Sequence, residues 1–274
     1  AHVEQDGVWI PDGGMHGLAR CVERLAREAG AQFRYGDRVE AILADPAGKS
    51  VAGVRLNGGE TIAAGQVIFN GDGAALPGLL KIPSDRVANA EGRRSLSALV
   101  SCAMARPEGV PLAHHTVFFN DDYASEFDAI FSDRSPPADP TVYVCAQDRE
   151  ASGRLPEGRS PDADERIYCL MNMPADGDRH TYSQSELDQC LTMMHRRLAR
   201  NGLTFQLDAE AQVVTGPDRF EHLYPATGGA LYGPASHGWI RWACCSCCAI
   251  RRCRRCRCNV LDLLLNQKRN RCRQ

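Results

Sequence analysis

The segment 241–274 differs in composition from everything before it, and this restricts the folding part of the chain to residues 1–240. The segment holds eight of the 13 cysteines, ten Lys or Arg and one acidic residue. Residues 1–240 hold 22 basic and 33 acidic side chains, so their net charge is −11 against +9 for the tail. Arg, Cys, Ala and Trp are frequent when a GC-rich gene is read out of frame. We therefore interpret the tail as out-of-frame and disordered.

The composition of the body, residues 1–240, is that of a globular protein with a sizeable core. The chain is 43% apolar, and no apolar run approaches the ~20 residues that cross a bilayer. Its negative charge excludes wholesale attraction to nucleic acid or anionic lipid. Five scattered cysteines are typical of small buried apolar residues in a reducing cytosol: Cys21, Cys102, Cys145, Cys169 and Cys190. The chain opens on Ala1 and patterned sequence, so we expect a piece that lacks its N-terminus.

The first part of the body predicts one helix followed by short strands. Apolar residues from Met15 to Ala29 recur with the spacing of one buried helix face, and Gly30 follows where a helix would end. Short β-type runs then alternate with turns, at 33–35, 39–43, 51–56, 61–62 and 67–69. This order favours an α/β nucleotide-binding domain that carries a small antiparallel hairpin insertion.

The pattern changes between residues 84 and 216. We predict strands at 96–104, 116–119, 142–145 and 167–171, and a helix at 122–131. Ser183 and Glu186 form a capping box that opens a second helix, closed by Asn201-Gly202. The apolar face of that helix consists of Leu187, Leu191, Met194 and Leu198. We therefore expect an inserted α+β domain, a mixed sheet with covering helices.

Two motifs carry a resemblance to a known family. The first is WIPDGGMHGLA at residues 9–19, followed by the helix and by FRYGDRVEAI at 33–42. The second is LYPATGGALYG at 223–233. Together they resemble the FAD-dependent carotenoid (phytoene-type) desaturases of the amine-oxidase-like flavoproteins. Residues 95–106 and 114–123 look most like the branch that acts on hydroxyneurosporene or methoxyneurosporene.

The resemblance implies an activity and a division of the chain. The activity is removal of hydride and a proton from neighbouring carbons of a carotenoid, with FAD accepting the hydride. The implied parts are a partial FAD-binding Rossmann-like domain at 1–83, a substrate domain at 84–216, a return to the FAD domain at 217–240 and the tail. The partner would be a lipophilic carotenoid, and the location cytoplasmic, with peripheral contact at the inner membrane. No nucleic-acid partner is expected.

The resemblance also assigns residues to the site. It implies contact with the flavin at Gly13, Gly14 and Met15, with the adenine at the Val39 backbone, and with FAD at Asn70 and Asp72. A strand-to-helix turn, a half-buried strand residue and a helix N-cap explain these residues equally simply. It places Tyr224, Pro225, Gly228 and Gly229 beside the substrate channel, where the alternative is a loop joining two domains. No catalytic side chain is predicted, because the flavin performs the chemistry.

Departures from the family pattern bear on activity. The Gly-x-Gly-x-x-Gly fingerprint and the glycine-rich, His-Pro-containing flavin segment of the family do not occur in this sequence. We therefore expect these 274 residues alone to bind FAD poorly and to show no turnover.

Other functions remain open from the residues alone. The chain could be another amine-oxidase-like flavoprotein, an amine oxidase or a carotenoid isomerase, or a non-catalytic remnant. The tail cysteines and arginines could form a metal-binding or nucleic-acid-binding module. His114-His115 invites a metal assignment, but adjacent strand residues point to opposite faces, so no metal site is predicted. Phe118, Phe119 and neighbouring aromatic residues (Tyr123, Phe127, Phe131) are expected to be core in preference to a membrane-contact patch.

Overall fold

The computed structural model describes residues 9, 11–81, 94–150, 152–160 and 162–232, with the backbone only at 208 and 209. The Cys-rich tail lies outside the described residues. The chain divides into two compact units, Ala1–Gln66 and Val67–Gln274. The predicted boundary at 83/84 falls among residues that are not described. No helix within the described ranges is long and apolar enough to cross a membrane.

The first unit begins with helix α1, Gly14–Glu28, as the apolar period predicts. The helix ends at Ala29, and the Gly30 amide donates to the Arg27 carbonyl. The expectation that its apolar face is buried is wrong for the described residues, because no residue of α1 is buried. Met15 is 72% exposed and Val22 58%. Phe33 and Tyr35 lie beside this helix, with the Arg27 guanidinium 4.7 Å from the Phe33 ring centre.

A three-stranded antiparallel sheet completes the first unit. Its strands are β1 (Val39–Ala44), β2 (Val51–Leu56) and β3 (Thr61–Ala63), in the order β1-β2-β3. This is the predicted hairpin insertion. The strands expected at 33–35 and 67–69 do not form, since neither segment pairs with a described strand, and extended backbone without a hydrogen-bonded neighbour is not a sheet.

The second unit is built on a five-stranded sheet with the order β5-β6-β7-β4-β8. Its strands are β4 (Ser97–Gly109), β5 (His115–Phe118), β6 (Val142–Ala146), β7 (Glu165–Met173) and β8 (Leu203–Thr215). Every described pairing is antiparallel, where a mixed sheet was expected. Strand β8 was not predicted. The α/β class with an antiparallel insertion and an α+β unit is confirmed.

Helices flank this sheet. A 3₁₀ turn at Gly73–Ala75 leads into α2 (Leu76–Leu79), and α3 (Tyr123–Asp128) continues as a π turn at Ala129–Asp133. Helix α4 (Gln184–Arg200) begins with the predicted capping box: Ser183 Oγ accepts from the Glu186 amide, and Glu186 accepts from the Ser183 amide. The short α5 (Pro217–Leu223) follows β8.

The core of the second unit lies between the sheet and α4. Met194 and Leu198 of α4 are buried against one face of the sheet, where Leu99, Val144 and Met171 project. The alternation along β6 and β7 produces this arrangement, because every second side chain points toward α4. The rest of the core consists of further apolar residues of the same kind, among them Phe118, Val142, Ile167, Cys169 and Leu191.

Candidate functional site

The face of the sheet opposite α4 is the candidate binding surface. Strand register defines two rows of side chains on it, His115–Cys145–Tyr168–Cys102–Val213 and Val117–Tyr143–Leu170–Val100–Thr215. We call these ten residues the open face. Val213 is 65% exposed and Val117 43% exposed at the two ends of these rows, while Val100 and Cys145 within them are buried. An exposed apolar sheet face of this kind is a typical interaction surface.

The open face is aromatic and carries no carboxylate, amine or guanidinium among its ten residues. The rings of Tyr143 and Tyr168 meet edge to face, with centroids 6.0 Å apart. Loss of water contact raises the pKa of Tyr168 to about 12 and raises the pKa of Tyr143 and of the Cys102 thiol. These groups therefore stay neutral at physiological pH, which suits a hydrocarbon ligand.

Sequence reasoning missed this surface. Residues 142–146 alternate between side chains that face α4 and the open-face residues Tyr143 and Cys145. That alternation was visible as a strand, yet a period of two defines two faces without saying which of them is covered. Cys102 was expected to be buried and is exposed, as is Cys21. Cys145, Cys169 and Cys190 are buried free thiols, as predicted.

The glycines proposed to contact the flavin lie at the N-terminus of α1. Gly13 is the N-cap residue, with φ 75°, and Gly14 has φ 66°, both in the left-handed region that favours glycine. No side chain caps this helix and no acidic residue lies in its first turn. Gly13 and Met15 are exposed. A turn into the helix is thus observed, but no strand precedes it in the described residues, and none of these gives a side-chain acceptor to the first-turn amides.

The remaining cofactor candidates fall in both units. Val39 is the half-buried first residue of β1, which is the edge strand of the described three-stranded sheet. Asp72 caps the 3₁₀ turn in the second unit, where its Oδ1 accepts from the Ala74 amide at 2.8 Å. The N-cap interpretation of Asp72 is therefore observed. Asn70 is exposed just ahead of it.

The candidate substrate residues lie on a loop after α5 whose glycines are buried. The Glu221 carboxylate accepts from the amides of Ala226, Thr227 and Gly228 at 2.7–3.0 Å. A Cβ on Gly228 would clash with the Arg94 guanidinium. The loop thus needs glycine for its own packing.

Gly229 is also required by the packing of the loop. The exposed residues of the loop are in its first half. A Cβ on Gly229 would clash with the Pro217 carbonyl oxygen. Both glycines also have φ in the left-handed region, 66° at Gly228 and 80° at Gly229. Tyr224 is 63% exposed, and Pro225 is also exposed. Tyr224 and Pro225 are therefore the accessible members of the predicted substrate set.

The expectation that the His114 and His115 rings point to opposite faces of a strand is wrong. His114 lies in a bend before β5, whose first residue is His115, so the two rings do not take opposite faces. Their centroids are 4.5 Å apart. Desolvation, followed by the charge of His114, lowers the pKa of His115.

The aromatic residues around α3 are only partly core. Phe118 is buried, as expected, but Phe119 is 64% and Tyr123 58% exposed. Tyr123, Phe127 and Phe131 stack in succession along one side of the helix. The exposure follows from position, since Phe119 comes directly after β5 and Tyr123 is the first residue of α3.

The first unit combines a helix with a three-stranded antiparallel sheet, and the second packs helices on a five-stranded antiparallel sheet. Residues 2–238 match the profile of the family described as flavin containing amine oxidoreductase, and the chain belongs to that family.

Within and beyond this family match, the chain is similar to individual proteins that are named carotenoid desaturases. The chain is 50% identical over 243 residues to a hydroxyneurosporene desaturase of Rubrivivax gelatinosus, which covers 88% of this chain and 45% of the relative. It is 39% identical to the hydroxyneurosporene desaturase of Cereibacter sphaeroides over 86% of this chain and 46% of the relative. A zeta-carotene-forming phytoene desaturase of Myxococcus xanthus is 38% identical over 61% of this chain and 31% of the relative. The chain thus spans about half the length of the curated relatives it matches most extensively.

Proposed function

We propose that the chain is part of an FAD-dependent desaturase that acts on a carotenoid intermediate such as hydroxy- or methoxy-neurosporene or phytoene. The observation that carries this proposal is the 50% identity, over 88% of the chain, to a protein named hydroxyneurosporene desaturase. The identity spans both units, so it concerns the flavin side and the substrate side of the enzyme. We assign residues 1–83 and 217–240 to the flavin domain and 84–216 to the substrate domain.

The open face supports a lipophilic substrate. A polyene offers little besides carbon and hydrogen, so its site gains affinity by removing apolar surface from water, at about 25 cal/mol per Å². Val117, Tyr168 and Val213 present such surface on a rigid sheet, without a charge that would have to be desolvated. The role of this sheet is to form one wall of the polyene site and to hold the polyene in an extended conformation.

The uncapped start of α1 supports a flavin contact. When bound, FAD supplies the acceptor for the hydride that leaves the substrate. A ring carbonyl or a developing negative charge is stabilised by helix N-terminal amides, and those of α1 have no side-chain acceptor. The space beside Gly14 is open, and since glycine has no Cβ to occupy that space, the backbone can approach a planar ring there.

Two further contacts with FAD are proposed. The unpaired edge of β1 at Val39 offers backbone groups for the adenine. Asn70 offers an exposed amide, and Asp72 a half-buried carboxylate that already accepts one backbone hydrogen bond.

Peripheral contact with the inner membrane from the cytoplasmic side is also proposed. The substrate resides in lipid, so the enzyme needs access to the bilayer surface. Phe119 and Tyr123 are the exposed aromatic residues suited to that contact, since such rings partition to the membrane interface.

Binding of the polyene to the full-length chain tests the proposal. Neurosporene delivered in detergent should co-elute with the protein, and its absorption bands should shift. The variant Val213→Asp places a charge on the open face and should abolish both signals. Val110→Asp, at an exposed valine beyond the end of β4, is the matched control and should bind as the wild type does.

The outcome against the proposal is equal polyene binding by both aspartate variants, or none by the wild type. The same preparation reports on flavin. Since the family's dinucleotide fingerprint is not in this sequence, we expect well under one equivalent of FAD by absorbance. One equivalent of reducible flavin would contradict that expectation.

A further inference from the structure

Three side chains with metal-binding atoms meet at the β5–β6 edge of the second unit. They are His114 in the bend before β5, His115 at the start of β5, and Cys145 of β6, which is the cross-strand partner of His115. Their ligand atoms all lie within 4.8 Å of one another. His115 is exposed, His114 half-buried and Cys145 buried.

The His114 ring is held in the tautomer that leaves its Nε2 lone pair available to a metal. Its Nδ1 lies 2.5 Å from the carbonyl oxygen of Arg149. A carbonyl only accepts, so Nδ1 carries the proton and Nε2 keeps its lone pair. The carbonyl is itself well fixed: the Arg149 amide donates to the Ala146 carbonyl, and the Arg149 guanidinium is bidentate on Glu165.

A second contact orients His115. Its Nδ1 lies 2.6 Å from the hydroxyl of Tyr143, which lies two residues before Cys145 on the same face of β6. The hydroxyl oxygen can accept from His115 Nδ1–H. In that arrangement Nε2 of His115 is also left unprotonated. Outer contacts of this type, to carbonyl and hydroxyl groups, are those that orient metal-ligating histidines.

We propose that His114, His115 and Cys145 bind one thiophilic divalent cation, Zn²⁺, through two imidazole nitrogens and one thiolate. Mixed nitrogen and sulfur ligation is what Zn²⁺ favours, and three protein ligands leave a fourth position for water. Tetrahedral bonding brings ligand atoms to roughly 3.3–3.6 Å from one another, from the metal–ligand bond lengths. Binding would draw the three ligand atoms closer than the 4.8 Å that bounds them here, by rotation of their side chains.

The bound ion would stabilise the β5 edge of the sheet. Strand β5 has four residues and pairs only with β6 within the described sheet. Bound Zn²⁺ would join the bend before β5, the strand itself and β6, and the Cys145 thiol would release its proton to solvent. Two of the three ligands, His115 and Cys145, also belong to the open face, but the test uses neither flavin nor polyene, so its outcome is distinct from that of the polyene-binding test.

Metal stoichiometry in the full-length chain tests the inference. The eight tail cysteines are replaced by serine, because they would bind zinc themselves. After equilibrium dialysis we expect one equivalent of Zn²⁺ by elemental analysis, and with Co²⁺ a thiolate charge-transfer band in the near ultraviolet. His115→Ala and Cys145→Ser should each weaken binding by more than 100-fold. Tyr143→Phe, which removes only the outer contact, should weaken it about 10–100-fold.

Controls separate the site from other thiols and imidazoles. Cys102→Ser removes an exposed cysteine of the open face, and His195→Ala removes a half-buried histidine of α4. Both should retain the equivalent and the Co²⁺ band. Because His115 is exposed, its alanine variant should keep the fold, which circular dichroism checks. The inference is overturned if the wild-type ligand set binds no ion, or if His115→Ala and Cys145→Ser bind it as tightly as the controls do.

Discussion

Helices α1 and α4 have the same kind of apolar periodicity, yet the structure treats them differently. Helix α4 buries Leu191, Met194 and Leu198 against a sheet and starts with a capping box. Helix α1 buries none of its residues in the described structure and has no side-chain cap. A period of 3.6 therefore predicts a helix and its apolar face, while burial of that face depends on whether another element lies against it.

The largest expected effect comes from the buried ion pair of the second unit. Glu165 is fully buried and bidentate on Arg149, at 2.7 and 2.8 Å. Glu165→Gln leaves the guanidinium without its counter-charge, so we expect a loss of about 3–5 kcal/mol in unfolding free energy. Urea unfolding measures it. Glu23→Gln removes the half-buried partner of the exposed Arg27 on α1 and should leave the midpoint nearly unchanged, because the pair lies at the surface. Equal losses of unfolding free energy in the two variants would contradict the expected difference between the two units.

Matched leucines test the two helices directly. Leu198 in α4 is 1% exposed and Leu25 in α1 is 55% exposed. Leu198→Ala creates a cavity and should cost about 2–5 kcal/mol. Leu25→Ala should stay within about 0.5 kcal/mol. Thermal and urea unfolding of the two variants provide the measurement, and a large loss at Leu25 would mean that α1 is covered in solution.

The expected effect at the capping box of α4 is smaller. Ser183→Ala removes the side-chain acceptor for the Glu186 amide, and we expect a loss of about 1 kcal/mol. Ser185→Ala, at an exposed position in the same first turn, should cost less than half of that. The difference between the two midpoints is the quantity to measure. Equal midpoints would show that the cap is not formed in solution.

The smallest effect is pH-dependent. The Arg94 guanidinium hydrogen-bonded to Asp178 holds the pKa of this carboxyl below its ordinary value of 3.8. Because the folded-state pKa is the lower one, the pair contributes fully above about pH 4 and loses its contribution as the pH falls further. The stability difference between wild type and Asp178→Asn should therefore be constant from about pH 5 to 8 and shrink in acid. Parallel profiles down to about pH 2 would contradict this.

Local signals predicted much of the fold. The capping box at Ser183 and Glu186, the end of α4 at Asn201, and the hairpin of β1 and β2 are all where the residues indicate. Each of these features depends on residues that are close together in the chain, and such local patterns can be recognised in the sequence. Strand β8 was missed although its sequence alternates apolar and polar residues from Leu203 to Val213, a period of two that does indicate a strand.

The candidate site was less accessible to sequence reasoning. The resemblance supplied Gly13, Gly14 and the loop after α5, but the open face with Tyr143 and Tyr168 came from strand register alone. The histidine pair was misjudged because His114 was assumed to lie within a strand, and it lies one residue before it. A boundary shift of one residue reverses which face a side chain takes.

The amino-acid sequence by itself determined the family, helices α1, α3 and α4, the cap of α4 and the positions of most strands, because these follow from motifs and from contacts between residues close in the chain. Only the tertiary structure decided which face of the sheet is covered, which glycines are required by packing, and that His114, His115 and Cys145 converge. Those outcomes depend on pairings between distant segments, such as β4 with β7 and β8. Long-range register is set by the packing of the whole sheet, and no local pattern encodes it.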